Sequence, residues 1–175
     1  LAIEDSRFDL VLSLECFEHN PRWRGTLVNM IRMLKPGGWC IVTCASLGRP
    51  EHGTSRMDIT SSPGTAAQGW DYYKNVSLAD FRAVLPFDET FDCFTLSFGA
   101  AWNDLYFVGR KRGNPAHLCA GGDLASAWGS ASRSLERPSL KRRMAYLMEY
   151  VLGSRAFQSF YVTIWRSFKP SRPRS

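Results

Sequence analysis

With 175 residues, 45% of them apolar, the chain has material for one ordinary globular core, which excludes an intrinsically disordered protein. No uncharged apolar run approaches the roughly 18 residues of a membrane-spanning helix, and nothing ahead of Phe8 resembles a basic region followed by an apolar signal core. The net charge of +6 is unevenly placed: residues 133–175 carry ten Lys or Arg against Glu136 and Glu149, while residues 1–132 hold more acidic than basic side chains.

The positive excess therefore belongs to a tail, and a basic pI says little about nucleic-acid binding by the fold itself. Cys16, Cys40, Cys44, Cys93 and Cys119 are odd in number and form no CxxC pair. Reduced thiols and a cytoplasmic location are the expectation. Leu1 in place of an initiator Met suggests a processed, truncated or partial chain.

The first element is the run FDLVLSL, residues 8–14, nearly continuous in apolar character, as a parallel strand covered on both faces should be. The acidic turn ECFEH follows, and Pro21 then opens a helix. Trp23, Leu27, Met30, Ile31 and Leu34 recur every three or four residues and form its buried stripe. Lys35-Pro36-Gly37-Gly38 stops it, because proline disfavours helical geometry in the residue before it and paired glycines allow a tight reversal. WCIVT is the second strand, so strand, helix and strand form a crossover unit with parallel strands.

Residues 45–70 are rich in Gly, Ser, Thr and Pro and read as a long loop at a strand's carboxyl end, the edge on which α/β sheets bind ligands. Ser77 to Leu85 reads as a short helix, with Ser77 and Asp80 in capping-box spacing. Phe91 to Phe98 and Leu105 to Val108 flank a turn and predict an antiparallel hairpin at the sheet edge. Residues 113–138 read as a linker. Residues 139–175 form a basic helical tail of one helix or two, with Leu140, Met144, Leu147, Tyr150 and Val151 on one face before Gly153. Packing on the domain or on a second subunit, attachment to an anionic membrane surface and contact with RNA remain open for this tail.

The block FDLVLSLECFEH followed by NMIRMLKPGGWCIVT is similar to the fourth strand, the following helix and the fifth strand of class I S-adenosylmethionine-dependent methyltransferases, small-molecule O-methyltransferases above all. RPEHGT and DYYKNVSLADF look like segments of bacterial enzymes of the same group, and the resemblance covers roughly residues 1–112. It implies an α/β fold: a partial Rossmann-like sheet made of strands 4-5-7-6 of the family order 3-2-1-4-5-7-6, with a C-terminal helical extension. The glycine-rich turn after the family's strand 1 and the acidic residue after its strand 2 have no counterpart here. The expectation is a partial methyltransferase that is inactive alone, or else a non-catalytic interaction module derived from the fold, with an apolar strand left at the sheet edge.

The same resemblance implies S-adenosylmethionine as cofactor, bordered by Leu14 and Glu15, and a small-molecule or glycan-precursor acceptor methylated at oxygen. A nucleic-acid partner is not the expectation, since the positive excess lies outside residues 1–132. Glu15, Glu18 and His19 form an ExxEH cluster that some O-methyltransferases of the group use to bind magnesium, and His52 is a candidate fourth ligand. A bound Mg2+ would lower an acceptor hydroxyl's pKa and orient its oxygen. Two other readings stay open: catalysis by His19 as general base with Glu18 beside it, or capping of the helix that Pro21 opens.

Overall fold

A computed structural model describes residues 3–100, 102–113 and 140–168. Four strands form one sheet in the order β1-β2-β4-β3: β1 Phe8–Leu14, β2 Leu34–Ala45, β3 Phe91–Gly99 and β4 Asp104–Lys111. β1 and β2 are parallel, while β4 is antiparallel to both β2 and β3. This is the expected 4-5-7-6 order, with the hairpin's second strand inserted between β2 and its first strand.

Helix α1, Trp23–Met33, makes the crossover, and the stripe read from its spacing is the one it buries: Trp23, Leu27, Met30 and Ile31, with Leu34 just beyond its end. The reversal at Lys35 to Gly38 lies within β2. Phe8 pairs with Leu34 and Leu10 with Trp39, so Lys35 to Gly38 bulge out of the ladder, with Gly37 at φ +79°. A side chain at Gly38 would come within 2.9 Å of the Asp9 carbonyl, which only glycine avoids.

Cys40, Val42 and Cys44 alternate along β2 onto the face that α1 covers. The core on that face is aromatic. Phe81, from helix α3 (Leu78–Arg82; α2 is the short Pro63–Ala67 within the loop), stacks on Trp23 with rings 2° from parallel. Phe87, from α4 (Phe87–Thr90), stands at 90° to Phe107 of β4. The Ser77–Asp80 capping box is formed in both directions, although α3 ends at Arg82, three residues earlier than its apolar pattern suggests.

Three expectations are corrected. β1 is not covered on both faces: Leu10, Leu12 and Leu14 are 49%, 55% and 55% exposed, and β1 has only β2 beside it among the described residues. Cys93 is disulfide-bonded, while Cys16, Cys40 and Cys44 are free thiols. Burial in the core pushes the Cys40 thiol up to about 12.

The third correction concerns the tail. Its described part consists of α5 (Leu140–Leu152) and α6 (Ser154–Phe168), separated by Gly153 at φ +79°. Met144, Leu147, Tyr150 and Val151 are exposed, whereas Glu149 is buried. Its carboxylate accepts hydrogen bonds from the Gly48 amide, Asn75 Nδ2 and Ser154 Oγ at 2.5, 2.7 and 2.6 Å. From α6, buried Gln158 accepts from the Glu51 amide and donates to the Arg49 carbonyl. Polar bonds and the buried Phe157 and Val162 of α6 together dock the helices, whereas in α5 the face marked by apolar spacing is the exposed one. Apart from Gly113, the expected linker at 113–138 lies outside the described residues, and no helix is long and apolar enough to cross a membrane among those described.

Two outcomes follow from this architecture. An exposed apolar edge strand should recruit other chains, so Leu12→Lys should raise the monomer fraction in light scattering without altering the circular dichroism spectrum. Equal masses for the two proteins would place self-association elsewhere. Glu149→Ala strands the buried Gly48 amide and weakens the hold on Asn75 and Ser154, and should cost about 2 kcal/mol of helix docking, seen as faster proteolysis within residues 140–168 while the sheet stays protected.

Candidate functional site

β1 and β2 end side by side, and the loops leaving their carboxyl ends build the site. The Glu15 amide donates to the Thr43 carbonyl, the last rung between the strands, and Glu15 then turns the chain at φ +48°. A short 3-10 turn, Phe17–His19, follows, held down by Phe17 in the aromatic core 5.9 Å from the Trp23 ring. Glu18 and His19 are thereby buried over the sheet's edge. Neither caps α1. The helix has no side-chain cap at Arg22; just ahead of it the Asn20 side chain accepts from the Arg22 amide and donates to Thr26.

The loop after β2 is closed at its mouth: the Ser46 hydroxyl donates to the Val76 carbonyl, and the Val76 amide donates to the Ala45 carbonyl. Arg49 ties it to β4 through Asp104 at 2.9 Å. A tight turn over Glu51 to Met57 is fastened by the Thr54–Met57 bridge and by buried Glu51, which takes bonds from Thr54 and Arg56. This loop delivers His52 to His19. The two rings stand edge to face, 4.9 Å between centroids, and Tyr73 packs 5.4 and 5.0 Å from them. Gly53, at φ +65°, makes the approach feasible, since a Cβ there would lie 2.8 Å from the His19 ring.

Glu18, His19 and His52 each place one ligand-type atom within 4.8 Å of the others. Neither carboxylate oxygen of Glu18 nor Nδ1 of His19 has a hydrogen-bond partner, although all three atoms are buried. Desolvation pushes the Glu18 carboxyl up to about 8; the nearby amides of Glu18 and Ala45 favour the ionised form, but neither reaches hydrogen-bond geometry. Desolvation, with the neighbouring His52, holds His19 down at about 4. His52 Nδ1 lies 3.0 Å from the Pro50 carbonyl, which can only accept, so Nδ1 is the donor and in the neutral ring Nε2 carries the lone pair. Burial carries the Tyr73 hydroxyl well above its ordinary value, and it donates to the same carbonyl.

With Glu18 ionised, its two buried oxygens and a ring nitrogen of each histidine are residue types that could hold a divalent cation. Glu15 stands apart. It is exposed, its carboxylate accepts from the Thr43 hydroxyl at 2.8 Å, and it is not among the clustered ligand atoms. Leu14 lies exposed at the end of β1 next to it. Sequence reasoning missed Glu149 and Gln158, which steady the His52 loop from the tail. A lone Glu inside a basic, apolar helix was the available signal.

Comparison with known proteins comes to bear on residues 1–42, which match a family model described as a methyltransferase domain. No curated protein matches the sequence. Among solved structures, a Haloferax volcanii protein assigned as a methyltransferase and bound to the Trm112 activator is 17% identical, with 67% of this chain and 59% of that one covered at a TM-score of 0.39. A Methanosarcina mazei S-adenosylmethionine-dependent methyltransferase is 13% identical, with 65% and 64% covered at 0.38. A Haemonchus contortus phosphoethanolamine N-methyltransferase in complex with phosphomonomethylethanolamine and S-adenosylhomocysteine is 13% identical, with 63% and 35% covered at 0.42. The chain thus spans about three fifths of the first of these and about a third of the last.

The cluster sets a pH dependence. Between pH 4.5 and 8 the folded state holds a Glu18 proton that the unfolded chain has released, so stability falls as pH rises; between 4 and 6.5 the unfolded chain holds a His19 proton that the folded state lacks, so stability rises. The two oppose each other up to pH 6.5, above which only Glu18 acts. Urea unfolding should therefore show a decline on the order of 2 kcal/mol from pH 6.5 to 8. Glu18→Gln should flatten that decline. An unchanged slope would mean that Glu18 ionises as an ordinary carboxylate.

Proposed function

We propose that this chain, whose residues 1–42 match a methyltransferase-domain model and whose sheet has the strand order expected of a class I domain's second half, serves S-adenosylmethionine-dependent methyl transfer, with its Glu18–His19–His52 cluster acting on an oxygen of a small-molecule or glycan-precursor acceptor. The observation that carries the reading is the set of unpartnered buried atoms, Glu18 Oε1 and Oε2 and His19 Nδ1, at the carboxyl end of parallel strands.

Glu18, His19 and His52 would hold a divalent cation there. When bound, it would supply a Lewis acid that lowers the pKa of an acceptor hydroxyl. One carboxylate and two imidazoles suit a first-row transition ion such as Mn2+, Fe2+ or Zn2+ better than Mg2+, which prefers oxygen ligands. The expectation of magnesium leaned on two carboxylates, and Glu15 supplies no second one to the cluster.

The chain's own residues supply position. Leu14 and Glu15, leaving the strand end beside Thr43, are the proposed border of the donor. His19 and His52, braced by Tyr73 and by the turn that Glu51 fastens, are the proposed acceptor side. Transfer needs the acceptor oxygen, the methyl carbon and the sulfonium sulfur in line. The O–C bond forms as the C–S bond breaks, the hydroxyl proton departs, and S-adenosylhomocysteine is released neutral at sulfur. Alignment supplies much of the rate in such a displacement. A His19 held neutral at pH 7 has its lone pair available for that proton or for a cation.

Calorimetric titration with Mn2+ should show one site on this chain, weakened at least roughly tenfold by Glu18→Gln or His52→Ala, since each removes one of three ligands. Methyl transfer from labelled S-adenosylmethionine, assayed with these residues joined to the donor-side strands of a class I domain, should fall about 100-fold in either variant. Turnover unaffected by chelation and by both substitutions would end the cluster's role. Failure of the joined protein to bind S-adenosylmethionine would favour the non-catalytic interaction module instead.

A further inference from the structure

A cavity of about 350 Å3 opens where the end of the loop meets the start of α6. Arg56, Lys74 and Arg155 line it with Tyr72, Tyr73 and Gln158, and no acidic side chain is among its lining residues. Tyr73 is the wall it shares with the cluster, its ring edge-on to both His19 and His52. Lys74 is fixed from behind, its amide donating to the Glu18 carbonyl at 2.9 Å. The cavity and the cluster are therefore separated by one aromatic ring.

The charges around it do not cancel. Glu51 pairs with Arg56, but it is fully buried and meets the solvent only through that arginine. Asp80 is shared between Lys74 at 3.3 Å and Arg24 at 3.2 Å, and its remaining oxygen is engaged by Ser77. Asp71, exposed nearby, is taken up by the Ser55 amide and hydroxyl. Arg155 has no ion-pair partner among the described residues. Gln158 spends both ends of its amide on the Arg49 carbonyl and the Glu51 amide, so it shapes the wall without competing for a ligand. Three cations from three separate segments thus converge on one concave space, and one of them is uncompensated.

We propose that this cavity binds the oxyanion of the methyl acceptor, a phosphate monoester or a carboxylate, and so selects anionic acceptors. The assignment rests on reading the adjoining cluster as the acceptor site. Arg155, Lys74 and Arg56 grip the anion by charge-assisted hydrogen bonds, and the rest of the acceptor extends past Tyr73 towards the two histidines. Arg155 makes the basic tail a specificity element: the tail closes the cavity rather than reaching for a separate partner.

The test needs no methyl donor, so its outcome is independent of whether the chain transfers methyl groups. Inorganic phosphate and succinate are titrated separately into the full 175-residue chain at low ionic strength and followed by calorimetry. At least one should bind saturably, and Arg155→Glu should weaken it roughly tenfold or more, the size expected for exchanging a charge-assisted contact for a repulsive one. Lys74→Gln should weaken it by a smaller factor. Both side chains are at the surface of their segments, and unchanged circular dichroism would confirm that either variant is folded. Tighter phosphate binding identifies a phosphorylated acceptor, and tighter succinate binding a carboxylate one. Lack of saturable binding by both anions, or wild-type affinity in both variants, overturns the assignment.

Discussion

The pairing of β2 along both of its edges is the interaction on which everything else hangs. Its residues Trp39 to Thr43 pair with β1 on one side, and Trp39 to Ala45 pair with β4 on the other. The rungs at its end determine where three loops begin. The Glu15 amide closes on Thr43, the Val76 amide on Ala45, and the Ser46 amide on Asn103. A parallel neighbour on one side and an antiparallel neighbour on the other mean that the ECFEH turn, both ends of the long loop and the β3–β4 turn all meet at one edge. Glu18 and His52 come together because two loops leave adjacent strand ends in the same direction. A one-residue slip of β1 against β2 would turn its side chains to the opposite face and move Glu18 away from His52.

Burial then gives that juxtaposition its chemistry. Phe17 pulls the turn onto the aromatic core, and Tyr73 shields the histidines from the other side. In water at neutral pH Glu18 would be ionised and His19 partly protonated; in place, the acid is held neutral and the imidazole unprotonated. Such a state is costly unless something supplies the missing positive charge, which is why the orphaned oxygens have more diagnostic value than the motif they belong to.

Much of the fold is legible in the sequence, and the limits of legibility have physical causes. The α1 stripe, the Ser77–Asp80 box and the hairpin are local patterns whose partners lie within a few residues, so spacing alone reveals them. The ExxEH cluster was legible as a set of residue types but not as a geometry: a left-handed turn at Glu15 sends its carboxylate to Thr43 and leaves Glu18, His19 and His52 together. The tail was misread for a related reason. Apolar periodicity marks Leu147, Tyr150 and Val151 in α5, yet the contacts that dock the tail include Phe157 and Val162 of α6 and the buried Glu149 and Gln158, whose partners Gly48, Asn75, Arg49 and Glu51 are about 70 to 110 positions distant. The coverage of β1 was overread because continuous apolar character reports what a strand can bury, not what lies beside it.

Gly53 has a consequence of a different kind. The His19 ring rests against the Cα of a residue with no side chain, in a backbone conformation that few other residues adopt. The gap between the two histidines is therefore gauged by a missing methyl group on a third residue. In descendants of this sequence positions 19, 52 and 53 should drift as one evolutionary unit. A lineage that discards His19 relieves only one of the glycine's constraints, since the Ser62 Cβ would still lie 2.5 Å from a side chain at 53 and the backbone there keeps φ +65°.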